Sequence, residues 1–297
     1  MVPERWSSLD DEAAVAAELF GSPGHEQVAS WLEVEAARTN DRDFARQFSD
    51  HIDLPGISTD DYLHRNIHTP NGDLLGGIRF YRRDVHRPFV EVIAHGFDSI
   101  DRLRDCVRAE WSAFGPLSLR LCARPGRISG PGVLLDQHIY VARSGDLRQS
   151  ASPVSLTPFA DADAAIDMVR RRFTHMATHD PDLARSVSAQ SSDELHKWQR
   201  TGQLQAITVE GEAVGVFAVA PGTIRWIDGD EIKEEVIDVQ YSGHGYAALA
   251  QAAWATGPER DPNRLLIGTI DGLNIASRTT AERAGRHRVL DLVFVEL

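Results

Sequence analysis

Tyr241-Ser242-Gly243-His244-Gly245-Tyr246-Ala247 separates a β-rich run, Ile232 to Val239, from an alanine-rich helical segment running from Gly245 to about Thr256. Glycines at such a junction let the backbone approach a ligand closely, because they adopt conformations closed to other residues. The N–H groups of the first helical turn then face outward at the positive end of the helix dipole, a geometry that suits a pyrophosphate. A plain strand-to-helix turn satisfies the same short pattern, so the flanking order decides between the two.

Downstream, Leu265–Ile270 reads as a strand, Asn274–Ala284 as a helix and Val289–Val295 as a strand. Upstream, Ser155-Leu156-Thr157-Pro158 opens a strand and Asp161 begins a helix that runs to about Thr178. Ser191-Ser192-Asp193-Glu194 caps a second helix with Leu195 and Trp198 facing inward. Strands follow at Gln203–Val209 and Ala213–Ala220. The first half predicts helices over 10–20 and 25–38, a hairpin of Leu75–Tyr81 and Pro88–Ile93, a helix from Ser99 to Phe114, and strands at Leu117–Cys122 and Val133–Val141. The polar stretch Ser144 to Pro153 marks a boundary and gives domains 1–150 and 151–297. Glu91-Val92-Ile93 and Glu235-Val236-Ile237 lie 144 residues apart, each followed by a helix and a strand, which points to an internal duplication.

The turn resembles motif A of the GNAT N-acyltransferase superfamily, Arg/Gln-x-x-Gly-x-Gly/Ala. One register sets Ser242 in the Arg/Gln slot with Gly245 and Ala247 as the small residues, and another uses Gln240, Gly243 and Gly245. Asn274-Ile275-Ala276-Ser277 through Gly285 is similar to the family's last helix. The likeness covers residues 153–297, and residues 60–142 look like a degenerate copy. It implies an α+β fold of the three-layer α/β/α type with a mixed sheet, built as two tandem GNAT-like domains. It also implies an enzyme that moves an acyl group from acetyl-CoA or another acyl-CoA to an amine of a small-molecule or peptide-like acceptor. In such a protein Ile237, Asp238 and Val239 would pair with the pantetheine arm, and Ser242, Gly243, His244, Gly245, Tyr246 and Ala247 would hold the pyrophosphate. Asn274 and Ser277 would touch the cofactor. Arg278, Arg283, Arg286 and Arg288 either reach a 3′-phosphate or form a solvated helix face.

Acyl transfer to an amine needs a base for the ammonium proton and donors that polarise the thioester. Glu234, Glu235 and Asp238 precede the turn, and strand alternation sets Glu234 and Asp238 on the face opposite Glu235. Glu235 is the first choice as base. The competing reading joins these acids with Asp228, Asp230 and Glu231 in a solvated acidic hairpin. Two positions depart from the family: Ala281 stands where many members carry a general-acid tyrosine, and Ser242 replaces Arg/Gln. In the N-terminal copy the turn becomes Asp98-Ser99-Ile100-Asp101, whose carboxylates repel phosphate, so that half reads as a structural part completing the acceptor cleft.

The 297 residues carry a net charge of −13, spread evenly over both halves, which opposes broad binding to nucleic acid or anionic lipid. Residues 79–127 run the other way, with ten arginines against six acids. They keep open an aminoacyl-tRNA or carrier-protein donor, and a non-catalytic acyl-CoA-binding module is a further alternative. Cys106 and Cys122 are too few for a disulfide framework. Met1-Val2-Pro3-Glu4-Arg5-Trp6 lacks the pattern of a secretory signal, and no apolar run is long enough to span a bilayer, so a cytoplasmic protein is expected. The i, i+4 pairs His64/His68 and His175/His179 lack a third ligand, which argues against a metal; the second pair lies where the family's acceptors often bind. The six tryptophans read mainly as core.

Overall fold

The computed structural model describes residues 5–148, 152–258 and 260–297. Residues 149–151, where the sequence reading ends the first domain, and residues 1–4, read for a leader, lie outside these. The chain begins with helices α1 (Asp10–Phe20), α2 (Gly24–Ala37) and α3 (Arg42–Ser49). Strands β1 (Arg65–Thr69), β2 (Gly72–Phe80) and β3 (Pro88–His95) follow, then α4 (Ile100–Glu110), β4 (Ser118–Ala123) and β5 (Val133–Arg143). The second half runs β6 (Val154–Pro158), α5 (Ala162–His179), α6 (Pro181–Ser186), α7 (Ser192–Arg200), β7 (Leu204–Val209), β8 (Glu212–Ile224) and β9 (Ile227–Ile237). It ends with α8 (Tyr246–Ala255), β10 (Leu265–Asp271), α9 (Ile275–Ala284) and β11 (His287–Glu296).

These elements form two mixed α/β units. The first comprises residues up to Asp136 together with Leu290–Leu297, and the second Gln137–Val289. This division differs from a cut at residue 150, because each unit is completed by a strand from the other half of the chain. β11 pairs antiparallel with β4, with Val293 opposite Leu121, and β5 pairs antiparallel with β10, with Val141 opposite Ile267. A period of two identifies a strand but does not name its partner, which is why the exchange is not visible in the sequence.

In the first unit the strand order is β1-β2-β3-β4-β11. Leu103 and Val107 from α4, with Trp111 at its C-cap, pack on Ile78, Val90, Leu119, Val293 and Val295. The opposite face, Leu75, Ile93 and Ala94, is covered by Trp6, Leu9 and Leu32. In the second unit the order is β5-β10-β9-β8-β7-β6. Alternation along β8 sorts its two faces. Phe217 and Val219 pack toward Ala250 and Trp254 of α8, while Val216, Ala218 and Ala220 pack toward Val169 of α5 and Leu195 and Trp198 of α7. β9 is therefore sandwiched between two helix layers, and successive residues on it look into different chemistry.

Three elements escape the sequence reading: α3, α6 and β1. The two helices are short, yet each carries a capping aspartate. Asp41 accepts a bond from Phe44 N–H at 3.0 Å and Asp180 one from Leu183 N–H at 3.2 Å. β9 starts at Ile227, earlier than Ile232, so Asp228 and Asp230 belong to a strand paired with β8 in a hairpin. Arg264 binds both, at 3.0 and 3.3 Å. His64 and His68 are not on a helix. His64 is buried against the carbonyl of Glu35 at 3.1 Å, and burial with Arg79 nearby pushes its ring down to about 3. His68, on β1, pairs with Asp73 at 3.0 Å. Among the described residues no group of three potential metal ligands occurs, and no helix is long and apolar enough to cross a membrane.

Val293 and Val295, 4% and 1% exposed, contribute to the core of the first unit. Replacing either by alanine is expected to cost about 2 kcal/mol. Hydrogen exchange should quicken in β4 more than in β8, and the reverse order would contradict the pairing of β11 with the first unit.

Candidate functional site

β8 and β9 pair along their length, interrupted where Ile232 opposes Val219 and Glu234 opposes Ala218, which makes Lys233 the extra residue of a bulge. On its other edge β9 meets the parallel strand β10 at only two positions, Asp230 with Leu266 and Glu231 with Ile267. Past Glu231 the two strands part, although β10 remains paired with β5 as far as Asp271. Peptide groups on that edge of β9 have no ladder partner from β10 beyond this point. A buried, unpaired edge is costly to keep unless something fills it, so the opening is a ready position for a ligand that offers amide groups.

The opening leads to the glycine turn. Asp238 N–H donates to the carbonyl of Val214 at 2.9 Å, and Val239–Tyr241 then form a single 3-10 turn. Val239 is therefore not a strand residue as the sequence reading has it; Ile237 ends the strand. Gly243 and Gly245 both have positive φ, +87° and +76°, the left-handed region that favours glycine. Gly245 is the N-cap of α8 and no side chain caps the helix, so the N–H groups of its first turn, Tyr246 and Ala247 included, lack a side-chain partner there. Space is open at the turn: a Cβ on Gly243 would meet nothing within 4 Å, and one on Gly245 only the Arg283 guanidinium at 4.0 Å. Helix dipole and Arg283 together make this end of α8 electropositive. The rings of His244 and Tyr246 stack at 5.2 Å. Tyr241 donates its hydroxyl proton to Glu212 at 2.8 Å, which pins the turn to β8.

The other residues singled out in the sequence fall into distinct places. Asn274 caps α9, its Oδ1 accepting from Ser277 N–H at 3.0 Å, so these two spend those atoms on each other. Arg286 does not lie on a solvated face. It is 3% exposed, and its Nε donates to Gln251 Oε1 at 3.0 Å. Gln251 in turn donates from Nε2 to both carboxylate oxygens of Glu235, at 2.9 and 3.1 Å. Burial holds the Arg286 guanidinium down to about 10, against the pull of Glu235. Ala281, in the slot of the family's tyrosine, is fully buried against Tyr140 and Ile270. Tyr140 donates to Glu282 at 3.0 Å, and Arg278 and Arg288 lie close enough to act on its hydroxyl.

The three candidate carboxylates separate by face. Glu235 looks toward α8 and is committed to Gln251. Glu234 looks toward the α5 and α7 layer, is 8% exposed, and accepts from Gln190 N–H at 3.0 Å. Desolvation pushes its carboxyl up to about 7. Asp238 accepts from Arg171 of α5 at 2.8 Å. His175 and His179 stack at 3.8 Å on α5, with His179 Nδ1 donating to the carbonyl of His175 at 2.9 Å. Sequence reasoning passes over Gln251, Gln190 and Arg171. Gln251 alone left a trace, as the one polar residue in the apolar run Tyr246–Ala255.

In the first unit the corresponding strands β3 and β4 are also parallel and pair at three positions before parting. There the N-terminal segment takes the edge. His95 N–H donates to Ser8 Oγ at 2.7 Å, and a Cβ on Gly96 would fall 2.2 Å from the carbonyl oxygen of Arg5. Ser99 caps α4, and Asp98 and Asp101 pair with Arg102 and Arg104. That turn therefore carries a serine cap and two carboxylates already paired with arginines.

No family model and no curated protein matches the chain. Among solved structures it is similar to an acetyltransferase of the GNAT family from Colwellia psychrerythraea, at 8% identity and a TM-score of 0.49 over 86% of this chain and 95% of that one. A GCN5-related N-acetyltransferase from Sphaerobacter thermophilus matches at 11% identity and a TM-score of 0.48, covering 99% and 96% of the two chains. A tandem GNAT protein from the clavulanic acid biosynthesis pathway matches at 15% identity and a TM-score of 0.42, covering 91% and 94%. The solved structures that the chain is similar to thus include GNAT acetyltransferases, one of them a tandem protein.

Proposed function

We propose that this chain is a GNAT-type N-acyltransferase whose second unit binds an acyl-CoA and passes the acyl group to an amine. One observation carries the reading: the gap between β9 and β10 runs directly into a glycine turn at an uncapped helix N-terminus. An extended arm with amide groups can pair with the free edge of β9. Its diphosphate then meets the backbone N–H groups of Tyr246 and Ala247, with Arg283 beside them. The residues present fit such a molecule, since the left-handed Gly243 and Gly245 leave open the space that a diphosphate needs. Acyl-CoA supplies an activated thioester; every other part of the chemistry falls to the protein.

Of the three carboxylates, Glu234 is suited to accept the amine's proton. Its carboxyl, pushed up to about 7, is partly ionised at neutral pH and can both take and return a proton. Glu235, first in the sequence reading, is held by Gln251 beneath α8, and Asp238 is bound to Arg171. An aminoacyl-tRNA or carrier-protein donor draws less support. Of the ten arginines that suggested it, Arg102, Arg104 and Arg108 pair with neighbouring aspartates and Arg120 with Glu91 and Asp136.

Calorimetric titration with acetyl-CoA should give micromolar binding, and Gly245→Val should weaken it at least about tenfold by forcing a β-branched residue into the left-handed region. Unaltered binding in that variant would remove the turn from the site.

Glu234→Gln should lower turnover by about 10²–10⁴ while leaving acetyl-CoA affinity intact. The same carboxyl affects stability. Because its folded pKa is raised, the folded state binds the proton more tightly than the unfolded state. Stability is then fully present below the ordinary carboxylate range and is lost as pH rises toward and through about 7, by up to about 3 kcal/mol. Urea denaturation at pH 5 and pH 8 should show this loss in the wild type and a smaller one in Glu234→Gln; equal losses would contradict the burial of this charge.

A further inference from the structure

The chain has 31 basic side chains, and only Lys197 and Lys233 are lysines. Both line one groove of about 460 Å³ in the second unit, between α7 and the β8–β9 hairpin, together with Gln190, Trp198, Glu194 and Glu231. Its size is that of a small-molecule pocket, ~300–1,000 Å³. No arginine lines it. In a chain that otherwise uses arginine throughout, the point-like, mobile ammonium is confined to this spot. Lysine forms single, exchangeable contacts where arginine locks into a planar fork.

The groove adjoins the proposed reaction centre. Glu231 forms the last rung to β10 and faces the same side of β9 as Glu234, opposite Ala220 where Glu234 is opposite Ala218. Lys233 is the bulged residue between them. Gln190, whose N–H holds Glu234, also donates from Nε2 to the carbonyl of Lys233 at 3.1 Å. The charges in the groove are balanced internally: Lys233 binds Glu231, and Lys197 binds Glu194 at 3.4 Å. A ligand of a single sign would take one member of the Lys233–Glu231 pair, whose side chains are 25% and 21% exposed, and leave the other without its partner. A ligand with both signs exchanges both partners and strands neither.

We propose that the acceptor is a small amine that also carries a carboxylate, an amino-acid-like zwitterion. Its carboxylate lies on Lys233 and Lys197, and its ammonium points toward Glu231 and Glu234. This rests on the acyltransferase reading above. In the transfer the ammonium gives one proton to Glu234, the freed amine forms a C–N bond at the acyl carbon, and the C–S bond breaks with its electron pair leaving on sulfur. The second proton lost from nitrogen passes through water to that thiolate.

Matched pairs test the proposal in the full-length chain: L-phenylalanine against phenethylamine, and L-lysine against cadaverine. Turnover is followed by thiol release from acetyl-CoA, and binding by calorimetry without acetyl-CoA. The carboxylated member should show kcat/KM and affinity at least about tenfold above its partner. Lys233→Met should raise KM for the carboxylated member with kcat little changed, and so erase the preference. Lys197→Met, on an exposed helix face, should do the same in smaller measure. Equal use of both members, or Lys233→Met and Lys197→Met effects that fall equally on both, would overturn the proposal. Either result with acetyl-CoA binding intact leaves the acyltransferase reading standing, whereas that reading fails if acetyl-CoA does not bind.

Discussion

The site proposed in the second unit depends on two parallel strands that stay together for only two rungs. Once β9 and β10 separate after Glu231, one edge of β9 keeps its peptide groups without a neighbouring strand, in the middle of a sheet covered by helices on both faces. The bulge at Lys233 lies at the point of separation, and a bulge bends its strand and sharpens the local twist. The α8 side is also propped from below. A Cβ on Gly268 of β10 would lie 3.0 Å from Arg286 Nη1, so the glycine leaves room for the guanidinium against the sheet. Arg286, Gln251 and Glu235 then form a buried chain that joins the start of β11, α8 and β9. Breaking one member would leave a buried charge or donor unpaired, and that cost keeps the parted strands in register.

The same architecture occurs in the first unit with the opposite outcome. β3, α4 and β4 repeat β9, α8 and β10, and Glu91 is tied directly to Arg120 where Glu235 reaches its arginine through a glutamine. The strands part there too, but Trp6, Leu9 and Ser8 close the space, and a serine cap takes one of the helix donors. One unit fills its gap with its own chain and the other leaves it open. In the first unit a cap and a cover each satisfy groups that a ligand would otherwise bind.

Much of this was legible in the residues. The strand and helix order of the second unit, the turn at Gly243–Gly245 and the opposite faces of Glu234 and Glu235 follow from periodicity and from what glycine alone can do. What was not legible concerns partners. Nothing in Val133–Val141 or Val289–Val295 says that each strand completes the other half's sheet. Arg286 resembles its neighbours Arg283 and Arg288 in sequence yet is buried, because Gly285 ends α9 in a left-handed cap and turns the chain inward. Glu235 is favoured over Glu234 until Gln251 is seen to occupy it, and Gln190 is an unremarked loop residue until its N–H is found on Glu234. Tertiary pairing assigns these roles, and local pattern carries no record of it.

Amide hydrogen exchange with and without CoA tests the open strand edge most directly. Added protection is expected in Ile232–Ile237 of β9 and in the first turn of α8 alone, with the matching segment of β3 unchanged. CoA that binds without protecting β9, or that protects β3 and α4 instead, would contradict it.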